Sequence, residues 1–393
     1  MLPSALQPPA GAGLFAERVI DWQKVHGRHD LPWQNTRDPY RIWVSEIMLQ
    51  QTQVAAVIPY YRRFIARFPD VATLADASEQ DVLEHWSGLG YYARGRNLHG
   101  AARIIVQQYG GAFPNSLEAV RALPGIGRST AAAICAFAFG ERAAILDGNV
   151  KRVLARHQGI PGFPGDKHVQ DALWQRAEAL LPDAGVEPYT QGLMDLGANI
   201  CVRRKPACTL CPVAADCIAQ REGSIAQIPA PRPAKVLPER ETTMLVLWHA
   251  GEVLLQKRPS IGIWGGLWSF PEAQDSDIES AVARLGLRAL NMLPLALVDH
   301  GFTHFKLRIT PVLVAVSRPP LRVSEDGFAW LSAEAALASA IPAPVKQILV
   351  GLHGPDAQPN AQLCSAFSAT DSRAISEHDV AGFEKRTHLL QRR

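Results

Sequence analysis

Cys201-Val202-Arg203-Arg204-Lys205-Pro206-Ala207-Cys208-Thr209-Leu210-Cys211-Pro212-Val213-Ala214-Ala215-Asp216-Cys217 holds four of the six cysteines in a chain of 393 residues. The gaps run six, two and five. A single tight C-x2-C pair with uneven arms differs from the two matched pairs of most zinc ribbons, although zinc stays open. It is better suited to a cubane [4Fe–4S] cluster, which takes four thiolates from one compact loop. Disulfides are disfavoured, because six cysteines are few for this length and no export signal precedes them. Arg203, Arg204 and Lys205 put three cations in the loop itself, which points to a partner bearing phosphates.

Outward from that loop the chain divides. Residues 1–13 are rich in Pro, Ala and Gly and read as a flexible tail. From 14 to 227 apolar residues recur three and four apart, as in Ile42, Ile47, Leu49 and Val54, then Val82, Leu83 and Trp86, which predicts helices. Pro59 should break or kink the first long one. Pro229, Pro231, Pro233 and Pro238 mark 228–241 as a stiff linker. Beyond it the period changes to two. Met244–Trp248 and Glu252–Lys257 read as strands joined by a turn at His249-Ala250-Gly251, and Phe305–Val316 as another. Short helices are expected at Ile278–Leu285 and Ala333–Ala340. The second domain, 242–352, is therefore α+β, and 353–393 reads as a disordered tail.

The apolar fraction of 47% supports true cores, and no run approaches membrane-spanning length. Net charge is only +3, so distribution matters more than the total. Cations cluster at Arg94–Arg96, Lys151–Arg156 and Arg203–Lys205, which could together form one phosphate-facing side. Leu123-Pro124-Gly125-Ile126-Gly127 sits between helical stretches within 117–139. Gly125, Ile126 and Gly127 would make a tight turn whose uncovered N–H groups, at a helix N-terminus, can hold a phosphate without reading bases.

A helix-hairpin-helix followed by Ile145-Leu146-Asp147-Gly148-Asn149-Val150 and the four-cysteine loop resembles the endonuclease III superfamily of DNA glycosylases. Within it, Val44-Ser45-Glu46-Ile47-Met48-Leu49-Gln50-Gln51-Thr52-Gln53 and Gly88-Leu89-Gly90-Tyr91-Tyr92-Ala93-Arg94 resemble the adenine DNA glycosylases of the MutY type. The likeness covers about residues 17 to 350. It implies a multidomain protein: an all-α glycosylase domain with a [4Fe–4S] loop, then an α+β Nudix-like domain.

Releasing adenine requires protonating the departing base and stabilising a sugar with oxocarbenium character, so an acid and an anion are the natural pair. Glu46 lies among Trp43, Ile47 and Leu49, where burial would keep it protonated. Asp147 opens a helix and could serve simply as its N-cap. The resemblance assigns Glu46 to protonation of adenine, Asp147 to the sugar cation, and Asn149 to holding that carboxylate. It sets Ser129 where the lyase branch carries a Schiff-base lysine, so the chain should be monofunctional. A plainer role for Ser129 is capping the helix after the hairpin. The resemblance also makes Gln51, Leu89 and Tyr91 the wedge that enters the duplex, and Trp33 and Gln191 part of the adenine pocket.

In the second domain, Gly265-Gly266-Leu267-Trp268-Ser269-Phe270-Pro271-Glu272 resembles the Nudix family. The positions that should carry magnesium ligands hold Ser280, Ala281, Arg284 and Leu285, so hydrolysis is not expected. By resemblance Phe302, Thr303 and His304 read 8-oxoguanine. Together these imply a monomeric cytoplasmic enzyme, nucleoid-associated in a bacterium, acting on double-stranded DNA with A:8-oxoguanine or A:G mispairs. Thymine release, nucleotide hydrolysis and non-catalytic DNA binding are the competing readings. Cys135 and Cys364 have no assigned role.

Overall fold

The computed structural model describes residues 12–233, 236–273, 277–317 and 327–353. The expected tail at 353–393 lies outside them apart from its first residue, as does most of the tail at 1–13. The chain separates into two compact units, Met1–Val236 and Leu237–Arg393.

The first unit is helical. Its helices are α1 (Ala12–His26), α2 (Pro39–Leu49), α3 (Val54–Arg67), α4 (Val71–Asp76), α5 (Glu79–Trp86), α6 (Ala93–Tyr109), α7 (Leu117–Ala122), α8 (Arg128–Phe139), α9 (Gly148–His157), α10 (Lys167–Ala179), α11 (Val186–Asp195) and α12 (Ile218–Arg221). A π-helical turn, Leu196–Ile200, extends α11 directly into Cys201. Side chains fall into two cores. One gathers Trp43, Phe64, Phe68 and Trp86, the other Val19, Val150, Leu154 and Leu196. Helix α8 lies between them. Ala131, Ile134 and Cys135 face the first, and Ala132, Ala133 and Ala136 face the second. A helix buried on both faces must be apolar all round and slim, hence its run of alanines.

Pro59 does not end a helix: α3 runs through it to Arg67. Its missing N–H removes one bond near the helix start, which the surrounding turns tolerate. The break falls earlier, at Gln51, whose φ of 57° is left-handed. Nor is the proline-rich stretch wholly a free linker. Ala230 N–H donates to Gly162 O at 3.0 Å and Arg156 Nε donates to Ile228 O at 2.8 Å, fastening its start to the helical unit.

The second unit is a mixed sheet of β1 (Glu239–His249), β2 (Glu252–Lys257), β3 (Trp268–Ser269), β4 (Glu272–Ala273), β5 (Arg288–Pro294), β6 (Val298–Gly301), β7 (Lys306–Ser317) and β8 (Phe328–Ser332). The main path is β3-β2-β1-β7-β5, with β4 on β1, β6 on β7 and β8 on β2. β1 and β7 pair in parallel from Glu239↔Lys306 to Trp248↔Ala315. Three helices follow the strands: α13 (Ile278–Arg284), α14 (Ala333–Ala338) and α15 (Ala343–His353). Leu245, Leu247, Val312 and Val314 pack with Val282 of α13 in a core on this sheet. Among the described residues no helix is long and apolar enough to cross a membrane.

Candidate active site and nucleic-acid interface

A pocket of about 200 Å³ opens in the helical unit between α2, α11 and the loop 28–36. Glu46, Trp33 and Gln191 all line it, so three residues far apart in sequence meet there. Glu46 comes from the middle of α2, which Asp38 caps by accepting from Tyr40 N–H at 2.9 Å. Burial, then the charge of Asp147, pushes the Glu46 carboxyl up to about 8. Trp33 is edge-on to Tyr61, with centroids 5.3 Å apart.

Behind the pocket wall lies a group that the sequence reading missed. Asp195 is fully buried. It accepts from Arg28 N–H at 2.8 Å, from Arg28 Nε at 2.6 Å and from Gln191 Nε2 at 2.8 Å. A buried carboxylate satisfied in this way fixes both donors, and each of them lines the pocket. The available signal was an acid inside the apolar run Leu193-Met194-Asp195-Leu196.

Asp147 is the N-cap of α9 and its Oδ1 accepts from Val150 N–H at 2.7 Å. Burial raises its pKa, while the N–H groups of Val150 and Asn149 and the charges of Arg152 and Lys151 oppose that rise. Asn149 therefore serves Asp147 through its backbone. Its side-chain Oδ1 instead accepts from Arg152 Nη2 at 2.9 Å. Ser129 does not cap α8; Gly127 holds that place. The Ser129 hydroxyl accepts from Leu146 N–H at 2.9 Å, one residue before Asp147.

The hairpin joins α7 to α8. Gly125 has φ +79°, and a Cβ there would lie 2.8 Å from Asn97 Cβ. Ile126 N–H is taken by Leu123 O, so the open donors belong to the first turn of α8, which has no side-chain cap. Gly125→Ala is expected to strain this turn by about 1–3 kcal/mol. It should weaken matched and mispaired duplexes equally in a titration at fixed salt, since the turn can read only phosphates.

The proposed cationic face needs correcting. Arg203, Arg204 and Lys205 are exposed, but Arg94 and Arg156 are buried at 8% and 4%. Arg156 donates to Val202 O at 2.7 Å, Arg203 O at 3.1 Å and Cys201 Sγ at 3.5 Å. Arg152 donates to Cys201 O at 2.7 Å and Gly197 O at 2.6 Å. These guanidiniums satisfy carbonyls of the cysteine loop and its approach, where irregular backbone leaves acceptors without partners.

The four cysteines converge, all half-buried and none in a disulfide. Burial pushes Cys211 up to about 11, and Cys201, Cys217 and Cys208 add to that rise. Burial also raises Cys208 and Cys217, with Cys201 contributing to both. Among the described residues no three His, Cys, Asp or Glu side chains gather around one metal ion.

Gln51 and Tyr91 are exposed and both left-handed, at φ 57° and 48°. Leu89 stands apart from them, only 7% exposed and packed in the first core. In the second unit, Thr303 and His304 are exposed in the turn between β6 and β7, with Thr303 Oγ1 3.4 Å from His304 Nδ1. Phe302 stacks on buried Phe305 at 4.4 Å and contacts Trp264 at 5.6 Å, which anchors the turn.

A helical unit with a helix-hairpin-helix turn and a buried acid at its pocket, joined in sequence to a Nudix-type sheet, is the architecture of base-excision DNA glycosylases of the helix-hairpin-helix class. Residues 44–179 match the HhH-GPD superfamily of base excision DNA repair proteins, and 242–350 match the NUDIX domain. The chain is 38% identical to the adenine DNA glycosylase of Buchnera aphidicola (subsp. Acyrthosiphon pisum) over 86% of its own length and 97% of that protein. It is 33% identical to the adenine DNA glycosylase of Homo sapiens, over 85% of this chain and 73% of that one. A solved thermostable thymine-DNA glycosylase aligns with TM-score 0.48 and 30% identity, over 54% of this chain and 98% of that one. The chain belongs to the adenine DNA glycosylase family. Its reaction is hydrolysis of the N-glycosidic bond to adenine, the first step of base excision repair.

Proposed function

We propose that the enzyme removes adenine mispaired with 8-oxoguanine or guanine, with Glu46 as general acid and Asp147 as stabiliser of the sugar cation. The observation that carries this is the different setting of two carboxyls: Glu46 lines the pocket beside Trp33 and Gln191, and Asp147 caps α9 by accepting from Val150 N–H at 2.7 Å. Glu46 is held protonated to about pH 8, partly by Asp147 itself. Asp147 alone is given N–H donors and cations, which favour its anion. Burial raises both carboxyls, but only Asp147 has donors and cations that oppose the rise, so the acid role falls to Glu46 and the anion role to Asp147. Glu46 would protonate the extruded base in the pocket. Asp147 would then face the cation that forms as the bond breaks, and water would complete an abasic site.

Ser129 offers only a hydroxyl, already engaged with Leu146 N–H, so no Schiff base forms at that position and the strand stays intact. Gln51 and Tyr91 enter the duplex beside the extruded base, and Leu89 supports them from the core. Thr303 and His304, on the Phe302 anchor, meet the lesion. Discrimination against guanine rests on the C8 oxygen and N7 proton of the lesion, worth roughly 1–3 kcal/mol for a well-placed contact. Cys201, Cys208, Cys211 and Cys217 would hold a [4Fe–4S] cluster. When bound, such a cluster supplies a rigid four-point staple, and the loop between the first two cysteines carries Arg203–Lys205 to phosphates.

Single-turnover reactions on A opposite 8-oxoguanine, A opposite G and A opposite T test the reading. Breaks should appear only after alkali, fastest for the lesion pair and absent for A opposite T. Strand breaks without alkali would overturn the monofunctional assignment. Equal rates for all three pairs would overturn mispair recognition.

A further inference from the structure

We propose that Arg94 is a positioning residue that locks the Gln51 and Tyr91 loops into one rigid unit, so that both enter the duplex together. The inference rests on the reading of those two residues as the elements that penetrate DNA.

The Arg94 guanidinium is buried at the junction of two loops. Its Nη1 donates to Ile47 O at 2.9 Å, Met48 O at 2.9 Å and Gln50 O at 2.5 Å, all at the end of α2. Its Nη2 donates to Thr52 Oγ1 at 3.2 Å on the same side, and to Leu89 O at 3.3 Å and Gly90 O at 3.2 Å on the other. Every one of these acceptors is neutral, and among the described residues no acid pairs with the cation. A buried charge met only by main-chain oxygens and one hydroxyl, with its Nε left without a partner, is a costly way to fill space. It is, however, a direct way to tie irregular segments together, because a planar fork reaches several carbonyls at once.

What it ties is specific. Gln51 and Tyr91 both take the left-handed conformation that residues with a Cβ avoid unless their surroundings hold them. Each sits next to a carbonyl that Arg94 grips, Gln50 in one case and Gly90 in the other. The Tyr91 ring lies over the guanidinium at 5.6 Å and Trp86 at 5.5 Å. Gly95, one residue on, packs against Trp86, where an added Cβ would come within 3.1 Å. The cation is thus fixed from behind while both loops hang from its front.

A plainer role is possible on the same contacts. Ile47 and Met48 belong to the helix of Glu46, and Arg94 could merely finish that helix. The two roles separate on substrates that differ in the work of extrusion. Adenine opposite 8-oxoguanine must be unpaired and unstacked, whereas adenine opposite an abasic-site analogue has no partner to leave.

Arg94→Met and Arg94→Lys, in the full chain, are expected to slow single-turnover excision opposite 8-oxoguanine by about 10²-fold, the scale of a misplacement near 1 Å. Excision opposite the abasic analogue should fall by no more than about threefold, because extrusion there is nearly complete beforehand. The emission of 2-aminopurine placed beside the adenine, which reports unstacking, should drop in both variants. Gln51→Ala or Tyr91→Ala added to Arg94→Met should cost less than either does alone.

Equal slowing on the two substrates would overturn the proposal in favour of the helix-finishing role. Full additivity of the double variants would also overturn it. If Gln51→Ala and Tyr91→Ala alone change neither excision nor emission, the reading of the two loops as duplex-entering fails first, and the proposal with it. A measurement on the unaltered protein decides the matter even if neither Arg94 variant folds. The hydrogen-bonded amides of Gln50, Thr52 and Leu89 should exchange with one common opening free energy. Separate openings for the two loops would refute the clamp.

Discussion

Glu46→Gln leaves adenine release at least about 10³-fold slower than in the parent, within the range of a positioned general acid, while the affinity for a mispaired duplex is kept. Glutamine has the size and polarity of the protonated carboxyl, so the pocket of Trp33, Gln191 and Glu46 keeps its shape. What it lacks is the transferable proton. Single-turnover excision gives the rate, and binding is read under conditions too brief for cleavage. A variant retaining more than about a tenth of parental activity would sink the assignment, since general-acid effects fall no lower than about 10²-fold.

The same residue sets a pH dependence whose sign can be worked out. With Glu46 proposed as the general acid, its protonated form is the active one, and burial with the charge of Asp147 keeps it protonated to about 8. Excision by the parent should therefore fall as pH rises through about 8. Stability follows the same direction. A carboxyl raised on folding binds its proton more tightly in the folded chain. Its contribution is fully present below the ordinary carboxylate range and is lost as pH rises through about 8. Glu46→Gln cannot ionise, so its melting temperature should exceed the parent's above pH 8, with the gap closing in mild acid.

Much of this arrangement was legible in the sequence, and the failures share a physical cause. Strand β2 runs where the apolar stretch Val253–Leu255 and the turn after His249 put it, because a short apolar run beside a Gly-containing turn marks a buried strand. Strand β5 was not anticipated. It is an edge strand with five of its seven residues exposed, so burial imposes no alternation on its composition. Cations misled in a different way. Arg94, Arg152 and Arg156 fall in cation-rich stretches of sequence, yet their guanidiniums turn inward to main-chain carbonyls. That demand arises only where π-helical, left-handed or loop backbone is buried, and composition carries no record of it. Asp195 was hidden likewise, because its partner Arg28 lies 167 positions away. Pro59 does not break α3, which runs through it to Arg67, whereas the break at Gln51 coincides with contacts made from another helix.

Asp147→Asn should reduce excision by about 10²- to 10³-fold, the scale for removing one preorganised electrostatic stabiliser, and shift the alkaline limb of the pH profile to lower pH. The rate follows from charge. An amide can still accept from Val150 N–H, as the carboxylate does at 2.7 Å, so α9 keeps its cap and the fold persists. The negative charge proposed to face the sugar is gone. The shift follows from coupling. Asp147 is the second cause of the raised Glu46 value, after burial. Removing that charge lets Glu46 ionise more readily, and the variant should lose its residual activity at a pH below the parent's limb near 8. Non-catalytic DNA binding predicts no excision to lose. A purely structural Asp147 predicts a moved limb without the rate loss below it, because asparagine keeps the cap while removing the charge that raises Glu46. The rate profile of this one variant from pH 5 to 10 therefore separates three roles for a residue that, in sequence, is equally good as an N-cap. The two carboxyls should also fail to add. With Glu46 already replaced by glutamine, Asp147→Asn has no proton donor left to adjust, so the double variant should show no alkaline limb at all and a rate close to that of the slower single variant.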